Sequence, residues 1–467
     1  MNSSTTPAAL RRRRLTKRTA ALTVALLGGA SLSVALAGSA SADPYGQLVA
    51  VGSDTTQYVM NGLAAAAGSN LLASYDAVDP ANSTTYATNS NELIKPKPLV
   101  KAFDRPNGSK DGVRALKASS GGTEAAPWNA ITAGSIDIAR SSAGPAEPGG
   151  SPGGGTLVSN GTLTFIPFGV DAVSIVTGPA TATPDSGVTG GTDLATNLPT
   201  VGSFTKQNLI DLYWFGVNTI AGGVEYHPVG TNVTAGAAAG HGAGNVLAGS
   251  DTQSGAPTDP ANNDPIVNVH LYVPQSGSGT RNFFIGVVSA NADTGGALPA
   301  NGAVYDHYSL GTGAPIEEHN GAIVATDANG IAPFSAAQWV AESKAGTIDT
   351  VDNRHGSQLI SLGGVSPLKT LGALKFANPA FSIIRDVYNV VPSYKLPASD
   401  YSGDAAGTTG APDAKLDKLL VGASSTVCSN SSVIRNYGFD VLSDGDANGY
   451  TCGQDTVRSY TTFNGDT

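Results

Sequence analysis

Three short turns in this chain carry residue types that can hold an anion without help from a net positive charge. Gly52-Ser53-Asp54-Thr55-Thr56 follows the apolar run Leu48–Val51 and precedes a helical stretch. Gly108-Ser109-Lys110-Asp111-Gly112 leads directly into Val113-Arg114-Ala115-Leu116. Ser276-Gly277-Ser278-Gly279-Thr280-Arg281 follows Val267–Val273 and precedes Asn282-Phe283-Phe284. A helix start offers unpaired N–H groups and the positive end of the peptide dipoles. Glycine lets the backbone approach a ligand, and Ser and Thr add hydroxyl donors. A fourth segment, Ile138-Ala139-Arg140-Ser141-Ser142, ends a strand. A single such Ser or Thr more often caps its own helix. Recurrence of one turn type points to a shared anion site.

Other chemistry-bearing patterns are weaker. Gly149-Gly150-Ser151-Pro152-Gly153 has the hydrolase G-x-S-x-G form but sits in a Gly/Pro loop with no strand before it. Ser366-Pro367-Leu368-Lys369 has the S-x-x-K form without its companion motifs. The six histidines are scattered and make no zinc motif. Ser278-Gly279-Thr280 has no Lys where a Walker A loop needs one. Asp444 to Asp455 has acidic or amide residues at calcium-loop spacing. A turn pinned by a disulfide is the simpler account of that stretch. No cofactor is expected, and with no metal ligands or activated nucleophile the chain reads as a binder rather than an enzyme.

The turns need elements to hold them. Leu48–Val51, Ile136–Ala139, Val267–Val273 and Ile383–Val391 read as strands. Phe165–Phe168 and Ala172–Val176 also read as strands, broken at Gly169. Thr56–Ala67, Val113–Ala118, Thr205–Trp214 and Arg281–Val288 read as helices, with Ser203 or Thr205 capping the third. Strands alternating with helices predict an α/β layered fold. Ala143–Gly155 and Asn232–Asn263 read as long loops.

Composition sets the compartment. The chain has 467 residues and a formal charge of −10. Residues 1–42 read as an export signal. Arg11–Arg14, Lys17 and Arg18 precede an Ala/Leu/Val stretch, and Ala40-Ser41-Ala42 is a small-residue cleavage site. Removing those six basic residues takes the charge from −10 to −16. That argues against nucleic acid or an anionic membrane as partner. No cysteine near the cleavage site accepts a lipid, so a freely secreted protein with no remaining membrane span is expected. The two cysteines, Cys428 and Cys452, enclose a short loop. In an oxidising compartment a bridge is favoured over two free thiols.

The ordered turns resemble those of the phosphate-binding proteins of ABC import systems. The first turn is similar to that family's Gly-Ser-Thr-Thr loop. Ser276 to Phe284 matches its Ser-Gly-Ser-Gly-Thr-Arg-x-x-Phe signature, and Phe204 to Gly216 resembles a helix of its second domain. The resemblance covers roughly 48–391. It implies a two-lobed flytrap fold with hinge strands: one lobe from 43–168 plus 360–467, the other from 169–359. It implies phosphate or a related oxyanion as ligand, an import permease as partner, and a monomer. By resemblance, Ser53, Asp54, Thr55, Ser109, Ser278, Gly279 and Thr280 line the site. Ser141 stands where phosphate-specific members often place Asp, and Pro274 where some have Arg. Arg140 or Arg281 then supplies the positive charge. The alternative is a secreted surface or matrix protein of the same fold with weak or no phosphate binding.

Overall fold

The computed structural model describes residues 45–68, 70–78, 93–145, 157–179, 204–221, 224–229, 266–289, 296–397, 412–442 and 448–464. The expected export signal lies outside these residues. So do the 232–263 loop, most of the 143–155 loop and part of the Asp444–Asp455 stretch.

The apolar runs form strands as expected, and they join one mixed sheet. Nine strands make its main path: β1 (Leu48–Gly52), β2 (Leu72–Ser74), β3 (Ile138–Ser141), β4 (Leu163–Thr177), β5 (Thr219–Ala221), β6 (Val224–Pro228), β7 (Ile266–Tyr272), β8 (Gly330–Ser335) and β9 (Ile384–Pro392). Their order is β2-β1-β3-β9-β4-β8-β7-β6-β5. Strands β2, β1 and β3 are mutually parallel, as are β8, β7 and β6. Between these two parallel blocks run β9 and β4, antiparallel to each other and to the blocks they join.

Strand β4 differs from its sequence reading. It does not break at Gly169 but continues for 15 buried residues. Gly169 faces Val387 and Pro167 faces Tyr388, so Phe168 is the extra residue of a β-bulge. A bulge absorbs the irregular backbone without ending the ladder. The first half of β4 pairs with β9, and the second half pairs with β8. One strand therefore links the β9 side of the sheet to the β8 block.

Helices follow the parallel strands. After β1 comes α1 (Gln57–Ala67) and, further on, α2 (Ser109–Ser119). After β7 comes α3 (Gly279–Val288), and α4 (Ala336–Glu342) follows β8 directly. The Thr205 helix begins with a capping box, in which Thr205 and Asn208 satisfy each other's backbone, and ends as a π-turn over Ile210–Phe215. Separate apolar clusters cover the sheet. Leu48, Val59, Ile138, Phe168 and Leu419 share one, while Val173, Tyr213, Val269, Phe284 and Ile383 share another. Cys428 and Cys452 form a disulfide, tying a C-terminal helix to the segment beside β4. Among the described residues no helix is long and apolar enough to cross a membrane.

Candidate anion site

The first and third glycine-hydroxyl turns and the Ser141–Ser142 segment leave the carboxyl ends of parallel strands, where open α/β sheets leave room for ligands. Ser53 follows β1, Ser141 and Ser142 end or follow β3, and Ser278 lies beyond β7. The folded chain brings these turns into contact. Gly108 has φ +102°, and a Cβ there would lie 2.5 Å from the Gly277 carbonyl oxygen. A Cβ at Gly279 would collide with the Ser109 and Ser142 hydroxyls. Those two hydroxyls are 3.2 Å apart, and the Ser142 N–H donates to Ser109 Oγ at 3.1 Å. Glycine at 108 and 279 is what allows the starts of α2 and α3 to touch.

At the centre lie two threonines. Thr55 Oγ1 and Thr280 Oγ1 are 3.4 Å apart. Both donate to Oε1 of Glu318, at 2.7 and 2.6 Å. Arg385 Nη2 donates to Thr280 Oγ1 at 2.9 Å, and the same guanidinium holds Asp171 at 2.9 and 3.1 Å. Arg385 and Asp171 are fully buried. Asp171 also accepts from the Ser335 hydroxyl and the Ala337 N–H. The Arg385 guanidinium lies over the Phe283 ring, 5.5 Å from its centroid. Buried donors here without a protein partner are Arg385 Nη1 and, in the first turn, Ser53 Oγ and Thr56 Oγ1.

Beside Glu318, His319 Nδ1 lies 3.2 Å from Asp54 Oδ2, and Asp54 Oδ1 accepts the Thr55 N–H at 2.6 Å. Burial, then repulsion from Glu318, pushes the Asp54 carboxyl well above the usual carboxylate range. Glu318 goes the other way. Burial opposes its ionisation, but His319, Arg385 and the Ser278 and Thr280 hydroxyls hold it down to about 2. Burial pushes the His319 ring down to about 4. Its ring is thus neutral near pH 7, and Arg385 with the hydroxyls keeps Glu318 ionised there. Glu317 accepts from the Asn107 and Gln275 amides, yet burial and the nearby Asp54 push it up to about 8.

The sequence-derived set is thus partly assembled. Ser53, Asp54, Thr55, Ser109, Ser278, Gly279 and Thr280 gather in one region. Ser278 also caps α3, accepting the Arg281 N–H at 3.0 Å, so its helix-capping role is present as well. Three expectations are corrected. Arg140 does not point a free charge at the site: its guanidinium clamps the carbonyls of Ala50, Gly52 and Ser53 and the Ser74 hydroxyl. Arg281 is held by the Gly296 and Pro274 carbonyls and by Asp306 at 2.7 Å. Ser141 donates to the Ala143 carbonyl in its own turn. The site cation is Arg385, which the sequence reading passed over, as it did Asp171, Glu318 and His319. Their signals were present: Asp171 and Arg385 interrupt apolar strands, and Glu317-Glu318-His319 is a titratable run in a chain only 13% charged.

No family model matches the chain, and no curated protein matches it. Among solved structures it is similar to one described as a possible phosphate binding protein from Planctomyces limnophilus. That match has TM-score 0.32 and 10% identity, covering 85% of this chain and 94% of that one. It is also similar to PstS from Borrelia burgdorferi, with TM-score 0.32 and 12% identity, covering 84% of this chain and 98% of that one.

Proposed function

We propose that this is an exported, non-catalytic solute-binding protein whose buried hydroxyl–arginine cluster takes an oxyanion of the phosphate class. One observation carries the reading: Thr55, Thr280 and, through Thr280, Arg385 converge on a single carboxylate oxygen, Glu318 Oε1. A donor set that binds a carboxylate has the chemistry to bind another oxyanion. The unpartnered Arg385 Nη1 and Ser53 Oγ would add donors. Each hydrogen bond to a charged group contributes ~1.5–3 kcal/mol, so a handful reaches micromolar affinity, near −8 kcal/mol. Entry would open the two parallel blocks about β4 and β9, which would serve as the hinge strands between the lobes. An import permease is the partner this reading implies.

Glu318 also favours a second reading, a secreted protein of this fold with weak or no phosphate binding. Its carboxylate is a tethered competitor for the same donors, and tethering gives it a high effective concentration. Calorimetric titration with phosphate and sulfate separates the two. Micromolar phosphate binding by the wild-type chain supports the first. If only Glu318→Ala binds, with affinity raised by about tenfold or more, the second holds. If a folded Glu318→Ala variant also fails to bind either anion, the cluster is not an oxyanion site.

A further inference from the structure

Next to the hydroxyl cluster is a small cavity whose chemistry is opposite. Five carboxylates line it: Asp54, Asp76, Glu317, Glu318 and Glu342. Asp54, Glu318 and Glu342 are buried. No Lys or Arg among the described residues lines it. Carboxylates gathered in a buried place are costly without a compensating positive charge. Two acceptor oxygens on its wall, Glu318 Oε2 and Gln338 Oε1, are buried with no hydrogen-bond donor. Glu318 is 4% exposed and Gln338 2%. Arg385 acts on Glu318 through its charge but hydrogen-bonds Asp171 and Thr280, so Glu318 Oε2 is left without a donor.

We propose that Asp54, Glu318 and His319 form a binding site for a divalent transition-metal cation, Mn²⁺ or Zn²⁺. One ligand atom from each lies within 4.8 Å of the others. Donors held ~2.1 Å from one ion lie roughly 3–4 Å apart, so small side-chain rotations close the set. Two carboxylates with one imidazole suit Zn²⁺ or Mn²⁺ better than Ca²⁺ or Mg²⁺, which take oxygen ligands. The outer contacts orient the ligands. The Thr55 N–H holds Asp54 Oδ1, while Oδ2 faces His319 Nδ1 at 3.2 Å, a separation two ligands of one ion can keep once the proton between them is displaced. The Thr55 and Thr280 hydroxyls hold Glu318 Oε1, which leaves Oε2. The cavity gives room for water to complete the coordination. The site shares Asp54 and Glu318 with the hydroxyl cluster but does not rest on the oxyanion reading, because the ion needs no bound anion.

The test is titration of the mature chain with Mn²⁺ in chelator-stripped, phosphate-free buffer, followed by pulsed electron paramagnetic resonance. One tightly bound Mn²⁺ per chain is expected, displaced by Zn²⁺, with ¹⁴N coupling from an imidazole. His319→Gln should abolish the nitrogen coupling, and Asp54→Asn should weaken binding by about tenfold or more. His355→Ala, an exposed histidine elsewhere, should leave both unchanged. Absence of stoichiometric Mn²⁺ or Zn²⁺ binding overturns the proposal. So does bound Mn²⁺ without nitrogen coupling, or coupling that survives His319→Gln. Should His319→Gln fail to fold, stoichiometry and nitrogen coupling in the wild type, with His355→Ala, decide the matter.

Discussion

Thr55 and Thr280 are separated by 225 residues, yet their hydroxyls sit 3.4 Å apart and donate to the same oxygen of Glu318. The acceptor is ionised and buried, so each bond is charge-assisted. Thr55→Val and Thr280→Val should each destabilise the fold by ~1.5–3 kcal/mol in urea unfolding. Because the pair shares one acceptor, the double variant should depart from additivity by ~0.5 kcal/mol or more. Strict additivity would mean that the two hydroxyls do not act on one group.

The Arg385–Asp171 pair predicts an asymmetric mutational response. Both side chains are fully buried, 2.9 Å apart. Arg385→Met leaves Asp171 as an uncompensated buried charge and should cost ~3–5 kcal/mol. Adding Asp171→Asn removes that charge while keeping acceptors for Ser335 and Ala337, and should recover most of the loss. Urea midpoints of the single and double variants measure it. A double variant no better than Arg385→Met would contradict the burial argument.

Glu342 predicts a pH dependence of stability. Burial, then repulsion from Asp352, raises its pKa well above the ordinary carboxylate value of 4.5. Over the range above 4.5 the folded protein keeps the proton and the unfolded chain has lost it. The unfolded state then binds fewer protons, so stability falls as pH rises through that range. Glu342→Gln stays neutral and should flatten that part of the profile. Thermal unfolding of both proteins across pH 5–8, in metal-free buffer, reads the difference directly.

Gly108 tests the contact between helix starts. Its φ of +102° disfavours any L side chain, and the added Cβ would meet the Gly277 backbone at 2.5 Å. Gly108→Ala should destabilise by more than ~1 kcal/mol and separate the second and third turns. Gly121, with φ +91° and open space around it, carries the backbone strain without the contact. Gly121→Ala should therefore cost less. Equal losses at the two positions would remove the helix contact from the account.

The export reading and the disulfide are checked together by intact mass. Secreted protein should begin at Asp43, carry no lipid and be two hydrogens lighter than the reduced chain. The Cys428–Cys452 bridge closes a span of 24 residues. Its reduction should cost about 3 kcal/mol on the loop-entropy estimate. A different start, a lipid adduct or two titratable thiols would each count against the secreted form.

Local rules were enough for the elements and the donor turns. Val267–Val273 had to be a strand and Gly279–Val288 a helix, because apolar runs punctuated by Gly and hydroxyl residues have few other solutions. Ser278 reads as a helix start for the same reason. The strand break expected at Gly169 failed because a bulge is set by the partner strand, and the register against Val387 and Tyr388 is not a local property. The cation of the site failed similarly. Arg140 and Arg281 adjoin the hydroxyl turns in sequence, so proximity along the chain favoured them. Sheet pairing instead turns Arg140 onto three carbonyls and carries Arg385 across from β9 to the threonines. Glu318 was invisible as an occupant of the cluster, because only the packing of a loop more than 200 residues beyond Thr55 sets its carboxylate there. The sequence determines which segments can donate hydrogen bonds. Which charge they meet is decided by long-range pairing, where burial makes every unmatched polar group expensive.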